Sequence, residues 1–230
     1  MKRPLFYTTL LFAAFLTSCE IEEGNDSSYY SKNYIDVYVI PDTLIIEEFE
    51  KEEVRGDSVY LQHVKLEGIH TLGPNRGLTT ITKEEEEKRH HMFDSIASFY
   101  GDTCFNGNIS VEGTRVFSQY IDSMIVTSDM DFDASHPAGS NLADLLKVLV
   151  YSLGDYIMNG YNVTPPHSLS APLYQKWIEM EETDKMLWCA DGCFSLCFPK
   201  PTLSRVHNMT YTFMMKDGPT LSATKQIVFE

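Results

Sequence analysis

Basic residues are scarce in this sequence. Lys and Arg number 18 against 33 Asp and Glu over 230 residues, a formal charge of −15. A body this acidic repels phosphate backbones, which excludes nucleic acid as a partner, and it does not lie flat on an anionic membrane. Long apolar runs are missing as well. Past the leader, no stretch approaches the roughly 20 apolar residues that span a bilayer. Cysteine is limited to five residues, and the C-x-x-C pair of common structural zinc sites does not occur. Familiar catalytic signatures are absent: there is no G-x-S-x-G elbow, no H-E-x-x-H and no papain-like cysteine motif. Their absence does not exclude an enzyme, because triads assemble from residues far apart in the chain.

What is present begins with an address. Lys2 and Arg3 are followed by Leu5 to Leu16, apolar apart from Tyr7, Thr8 and Thr9. That run is too short for a span and reads as the core of a secretory signal. It closes on Leu16-Thr17-Ser18-Cys19, which resembles the lipobox of bacterial lipoproteins. The resemblance implies cleavage before Cys19, acylation of Cys19 and attachment to a membrane through that lipid. Residues 1–18 are then a signal peptide. The mature chain carries 16 basic and 33 acidic residues, a formal −17. The stretch Glu20-Ile21-Glu22-Glu23, with Gly24 to Ser28 behind it, is too polar to build a core. Residues 19–32 are therefore expected to be the lipidated Cys and a flexible acidic tether, and 33–230 a single β-rich domain. Acidic residues directly after the Cys are similar to the surface-export signal of Bacteroidota lipoproteins. That implies an outer-membrane protein facing the cell surface, with the periplasmic face as the alternative.

The body reads mainly as strands. Tyr34 to Ile40 is rich in β-branched and aromatic residues, Val59 to Ile69 forms a second strand region, and the charged stretch Glu47 to Asp57 reads as an exposed link. Thr82-Lys83-Glu84-Glu85 matches a capping box, which predicts a helix from Lys83 to about Ile96. Asn106-Gly107 predicts a type I′ hairpin joining a strand at 96–104 to one near Ile109. Arg115 to Thr127 reads as one bulged strand. Leu142, Leu145, Leu146 and Leu149 fall on one helical face behind Asn141 as N-cap, and Pro172 to Met180 reads as a helix opened by Ser170. Lys185 to Phe198 reads as a hairpin turning at Asp191-Gly192. His207 to Met215 alternates cleanly, turns at Lys216-Asp217-Gly218 and returns over Leu221 to Phe229.

Several residue groups are candidates for chemistry. Asp129, Asp131 and Asp133 alternate as the opening of a calcium loop does, but Ala134 stands in place of the turn glycine and Ser140 in place of the closing Glu. A strand-capping acidic turn is the competing reading, and calcium is the one cofactor these residues suggest. With Cys19 taken by lipid, Cys104, Cys189, Cys193 and Cys197 are candidates for disulfides, for free buried thiols or for a metal. Tandem His90-His91 points in two directions on a helix, which disfavours joint ligation. The tyrosines between 151 and 167 suit either a sugar site or a loop packed on the body.

Residues 121–132 running into 137–142, together with the final hairpin, look like uncharacterised lipoproteins of gut Bacteroidota. That resemblance implies an immunoglobulin-like β-sandwich with one to three short helical insertions, α+β being the alternative, and it transfers no catalytic residue. It also makes the Asp-Thr/Ser-apolar triplets at Thr43, Ser58, Ser95 and Ser123 candidates for O-glycosylation. Three functions follow. The first is a non-catalytic surface module binding a glycan or protein ligand. The second is an envelope hydrolase, signalled by titratable groups joined at hydrogen-bond distance in a pocket. The third is a structural subunit, signalled by a long open edge strand.

Overall fold

The computed structural model describes residues 28–74, 80–110, 114–162, 172–192 and 194–230. Residues 1–27, which include Cys19, and residues 75–79, 111–113, 163–171 and Cys193 lie outside the described residues. Among those described, the chain forms β1 (Ser28–Ser31), β2 (Val37–Val54), β3 (Asp57–His70), α1 (Lys83–Tyr100), β4 (Gly107–Ser110), β5 (Arg115–Phe117) and β6 (Ile121–Ser128). It continues through β7 (Lys147–Val150), α2 (Gly154–Met158), β8 (Leu173–Lys176), α3 (Glu182–Lys185), β9 (Phe194–Phe198), β10 (Val206–Met215) and β11 (Thr220–Val228). The fold is mainly β, a sandwich-like arrangement of curled sheets with helical insertions.

Two sheets supply the layers. One has the order β5-β2-β3-β9-β7-β8, the other β11-β10-β6. Alternation dictates what lies between them. Met209, Tyr211, Phe213 and Met215 of β10 point inward and meet Phe194, Leu196 and Phe198 of β9 in one buried cluster. Phe194 and Phe213 meet across the layers with ring centres 6.0 Å apart and planes tilted by 40°. On β2, Val37 and Val39 join this core, while Tyr38 between them points to the opposite face. There it packs on Phe93 of α1 at 5.2 Å. The helix thus covers one outer end of the larger sheet with a second core of Tyr34, Ile35, Tyr38, Phe93, Ala97, Tyr100 and their neighbours.

Asp102 fastens this second core. It follows Gly101, which caps α1 at φ 75°, a backbone value that glycine adopts without strain. Its carboxylate is fully buried. It accepts the N–H groups of Tyr34 at 2.7 Å and Ile35 at 3.0 Å, and the hydroxyls of Tyr38 at 3.1 Å and Tyr161 at 2.8 Å. Burial pushes its pKa above the ordinary carboxylate value against the pull of these four donors.

Several expectations from the sequence are corrected. Ser28–Ser31, expected in the tether, pairs antiparallel with β4. Glu47 to Asp57 is not a link: β2 and β3 form one long hairpin whose turn residues Arg55 and Gly56 have φ of 51° and 86°, the signs a type I′ turn requires. Asn106 also takes a positive φ, yet no hairpin forms there. α1 runs on to Tyr100, so the strand preceding the turn does not exist, and β4 pairs with β1 instead. The predicted strand over 115–127 is two strands in different sheets, with the chain crossing between layers at 118–120.

The predicted helix after Asn141 is a turn followed by β7. Leu142 and Leu146 enter the main core, but Leu149 packs on the other face of the sheet with Val59 and Leu61. Asn141 caps no helix; its Oδ1 accepts from the N–H groups of Val126 and Ala143. Pro172 to Met180 is β8 and a 3₁₀ turn at Trp177–Glu179. Nor is 185–198 a hairpin. Cys189 bridges Val116 and Trp188 bridges Ser152, while β9 inserts between β3 and β7. The terminal hairpin of β10 and β11 forms as expected, pairing Val206 with Val228 through to Met214 with Thr220.

Candidate functional site

A groove of about 870 Å³ runs between α1 and the layer crossing at 118–120. The sequence builds its wall directly. Thr82 caps α1, its Oγ1 accepting from the N–H of Glu85 at 3.2 Å. The reciprocal half of the capping box gives way to an ion pair, with Glu85 joined to Arg89 at 2.9 Å. Once the helix runs to Tyr100, Met92, Ile96 and Phe99 follow at spacings of four and three and share one face. All three line the groove. Phe99 is 77% exposed, a large ring that the fold leaves uncovered.

Polar groups gather where α1 meets the layer crossing. Tyr100 donates its hydroxyl to the Ser118 carbonyl at 2.9 Å, and burial pushes its phenol up to about 12. Tyr120 donates to Glu182 Oε1 at 2.5 Å. Burial and then this carboxylate raise its phenol well above the ordinary value. Ser118 Oγ and Gln119 Oε1 are buried and have no hydrogen-bond partner among the described residues. Gln119 donates its Nε2 to the Asp217 carbonyl at 3.2 Å, which leaves Oε1 as the spare end of the amide. A buried oxygen left unpaired costs roughly 1–3 kcal/mol, so native folds carry few of them. Both residues line the same groove, with the two oxygens themselves closed off from solvent.

A second arrangement lies on the larger sheet. Ser195 Oγ is 2.9 Å from His63 Nδ1, and His63 Nε2 is 2.8 Å from Glu50 Oε1. The order hydroxyl, imidazole, carboxylate is that of a nucleophile, its base and an orienting group. The surroundings do not complete it. Ser195 is buried in β9, paired on one side with β3 and on the other with β7. The N–H groups around it serve the sheet ladders, where acyl transfer needs free donors aimed at an oxyanion.

The residues singled out in the sequence are dispersed. Asp129 accepts from the N–H and Nδ2 of Asn208 at 2.7 and 2.6 Å. Asp131 accepts from the N–H of Ala138 at 2.8 Å. Asp133 accepts from the N–H groups of Ser135 and His136 and from the His136 ring, all within 2.9 Å. The three carboxylates are thus spent on separate partners in a turn that caps β6. Among the described residues no three His, Cys, Asp or Glu side chains converge as a metal site would require. His90 Nδ1 meets the Leu72 carbonyl at 2.9 Å, while His91 lines the groove.

Cys104, Cys189 and Cys197 are free thiols, so neither Cys189 nor Cys197 closes the pairing to Cys104. Burial pushes the Cys189 thiol up to about 11 and the Cys197 thiol up to about 12. Thr43, Ser58 and Ser95 are exposed, and Ser123 is half-buried on β6. Tyr156 and Tyr161, expected either at a sugar site or packed on the body, lie in and against the second core.

Comparison of the chain with protein-family models, with curated proteins and with solved structures finds no match. The geometry carries the functional argument. Neither the groove nor the Ser195 relay was singled out from the sequence. The one signal for the groove was the apolar spacing of Met92, Ile96 and Phe99, which a helix ending at Ile96 would have cut short.

Proposed function

We propose that this protein is a lipid-anchored component of the bacterial outer membrane whose body binds a ligand in the α1 groove at the cell surface. The observation that carries the binding reading is a coincidence in one place. An uncovered aromatic side chain, Phe99, and the two residues that carry unpaired buried oxygens, Ser118 and Gln119, line the same groove. Clefts with an apolar wall and a few convergent polar groups are where proteins hold small ligands and segments of partners. The space suits a short glycan or a stretch of protein. The anchor rests on the order of Lys2, Arg3, the apolar run and Cys19.

A hydrolytic reading rests on the Tyr120–Glu182 contact in the same groove. Its chemistry is limited. A phenol held above its ordinary pKa keeps its proton at neutral pH, so it is a poor acid and has no free base form, and that proton is already donated to Glu182. Binding uses more of what the groove contains.

Two measurements test the proposal. Protease shaving of intact cells, with the native chain and with Cys19→Ala, should digest the body only when it is anchored outside; protection until the outer membrane is opened turns it to the periplasm. Nile red, a neutral dye, should bind the purified chain saturably and lose that binding in Phe99→Ala. Dye uptake indifferent to Phe99 would remove the groove as the site.

A further inference from the structure

We infer that the α1 groove takes an extended peptide in which an aliphatic or aromatic residue stands beside a lysine or arginine. The inference rests on the groove being the binding site and adds the chemistry of its occupant. Three independent features select that chemistry.

The first is the uncovered apolar face. Phe99 stands 77% exposed with Ile96 one turn before it on the same groove wall. An occupant that covers these side chains removes apolar surface from water, at roughly 25 cal/mol per Å². The second is spare hydrogen-bonding capacity of one sense. The Nε2 of Gln119 is held by the Asp217 carbonyl, so its unpaired Oε1 can only accept, and because it is closed off from solvent it does so once the side chain turns toward an occupant. The occupant must bring a donor. A peptide backbone supplies an N–H at every residue other than proline, whereas a hydrocarbon chain supplies none.

The third is charge. The groove is bordered by the carboxylates of Glu84, Glu87, Glu182 and Asp217 against the ammonium groups of Lys88 and Lys216. This excess of negative charge sits on a chain of net −15, so the field of the whole molecule favours a cationic occupant and disfavours an anionic one. A neutral sugar answers the need for donors but gains nothing from the charge. A cationic apolar peptide answers all three.

The test uses the purified full chain and two fluorescein-labelled octapeptides, one alternating leucine with lysine and one alternating leucine with glutamate, followed by anisotropy. The lysine peptide is expected to bind saturably and the glutamate peptide at least about tenfold more weakly, given like-charge repulsion across the site. Phe99→Ala and Gln119→Leu should each weaken the lysine peptide by about tenfold, the loss typical of a central contact. The exposed pair Glu84→Lys with Glu87→Lys should reverse the preference between peptides, with a retained cooperative urea transition as the folding control.

Equal binding of both peptides, or lysine-peptide binding unaffected by Phe99→Ala, Gln119→Leu and the charge reversal, overturns the inference. Failure of the lysine peptide while Nile red still binds in a Phe99-dependent way overturns the peptide class but leaves the groove as a site. Failure of both probes removes the groove and the peptide together.

Discussion

Ser195 Oγ lies 2.9 Å from Nδ1 of His63, directly across the ladder between β9 and β3, and the far nitrogen of that ring meets Glu50. The relay has the order of a hydrolase triad, but its serine is buried in mid-strand between two paired neighbours. A fluorophosphonate probe, which reacts with activated serines, is therefore expected to leave Ser195 unlabelled on the native protein. Labelling that disappears in Ser195→Ala would establish a nucleophile and bring back the hydrolase reading.

Ser118→Ala should stabilise the empty protein. Ser118 Oγ is buried and unpaired among the described residues, and removing such an oxygen relieves an unmet desolvation cost of about 1 kcal/mol. Urea denaturation gives the check. A loss of stability would mean that the hydroxyl has a partner in solution, and the argument from spare hydrogen-bond capacity would weaken accordingly.

Asp102→Asn should be costly. The carboxylate accepts from two backbone N–H groups and two tyrosine hydroxyls. An amide puts an NH₂ where one of those donors points, so at least one buried donor loses its acceptor. The expected destabilisation is about 2–4 kcal/mol, read as a shift in the denaturation midpoint. A change within the noise would show that the second core does not depend on this hub.

The turn after β6 predicts a pH dependence. Asp133 first, then Asp144, hold the His136 ring above its ordinary pKa, and His136 holds Asp133 below the ordinary carboxylate value. The histidine's contribution is full below its unfolded pKa and is lost as pH rises through its raised folded value. The aspartate's contribution is present above its unfolded pKa and is lost as pH falls through its lowered folded value. The pair therefore contributes most between about pH 4 and about 6.5. The Tm of the native chain minus that of His136→Gln should be largest in that window and shrink toward pH 9. A flat difference would show that the ring gains nothing from its charge.

Thiol chemistry should separate the cysteines. Cys104 is exposed, while burial raises the Cys189 and Cys197 thiols to about 11 and about 12. Only the thiolate attacks iodoacetamide, so native alkylation at neutral pH is expected at Cys104 well before the other two. Site-resolved mass spectrometry reads the order. Early modification of Cys197 would mean that the end of β9 opens readily.

How far the sequence could be read depended on the range of the determining contacts. The alternation of Met209, Tyr211, Phe213 and Met215 is local, and that hairpin was found. The cap at Thr82 is also local and was found, but the helix end was not, because its stop is a positive φ at Gly101. Leu142 to Leu149 carried a helical period and became a turn and a strand. There the sheet needed Val148 and Val150 inward and a position beside β9, and tertiary pairing overrode the local pattern. Asn106-Gly107 had the right turn chemistry but no strand before it to pair. Arg55-Gly56 made the turn from a less obvious pair because β2 and β3 were there to be joined.

The site was harder still. Phe99 and Gln119 are separated in the chain by β4 and β5, and nothing in the spacing of single residues announces that they share a groove. By itself the sequence determined the acidic charge, the mainly β character, the terminal hairpin and the start of α1, since each follows from composition, period or a side chain within four residues of its partner. Only the tertiary structure decided which strands became neighbours, where the layers cross and which polar atoms were left unpaired. Those outcomes depend on pairing between segments distant in the chain, where a contact forms only if both partners have already found their faces.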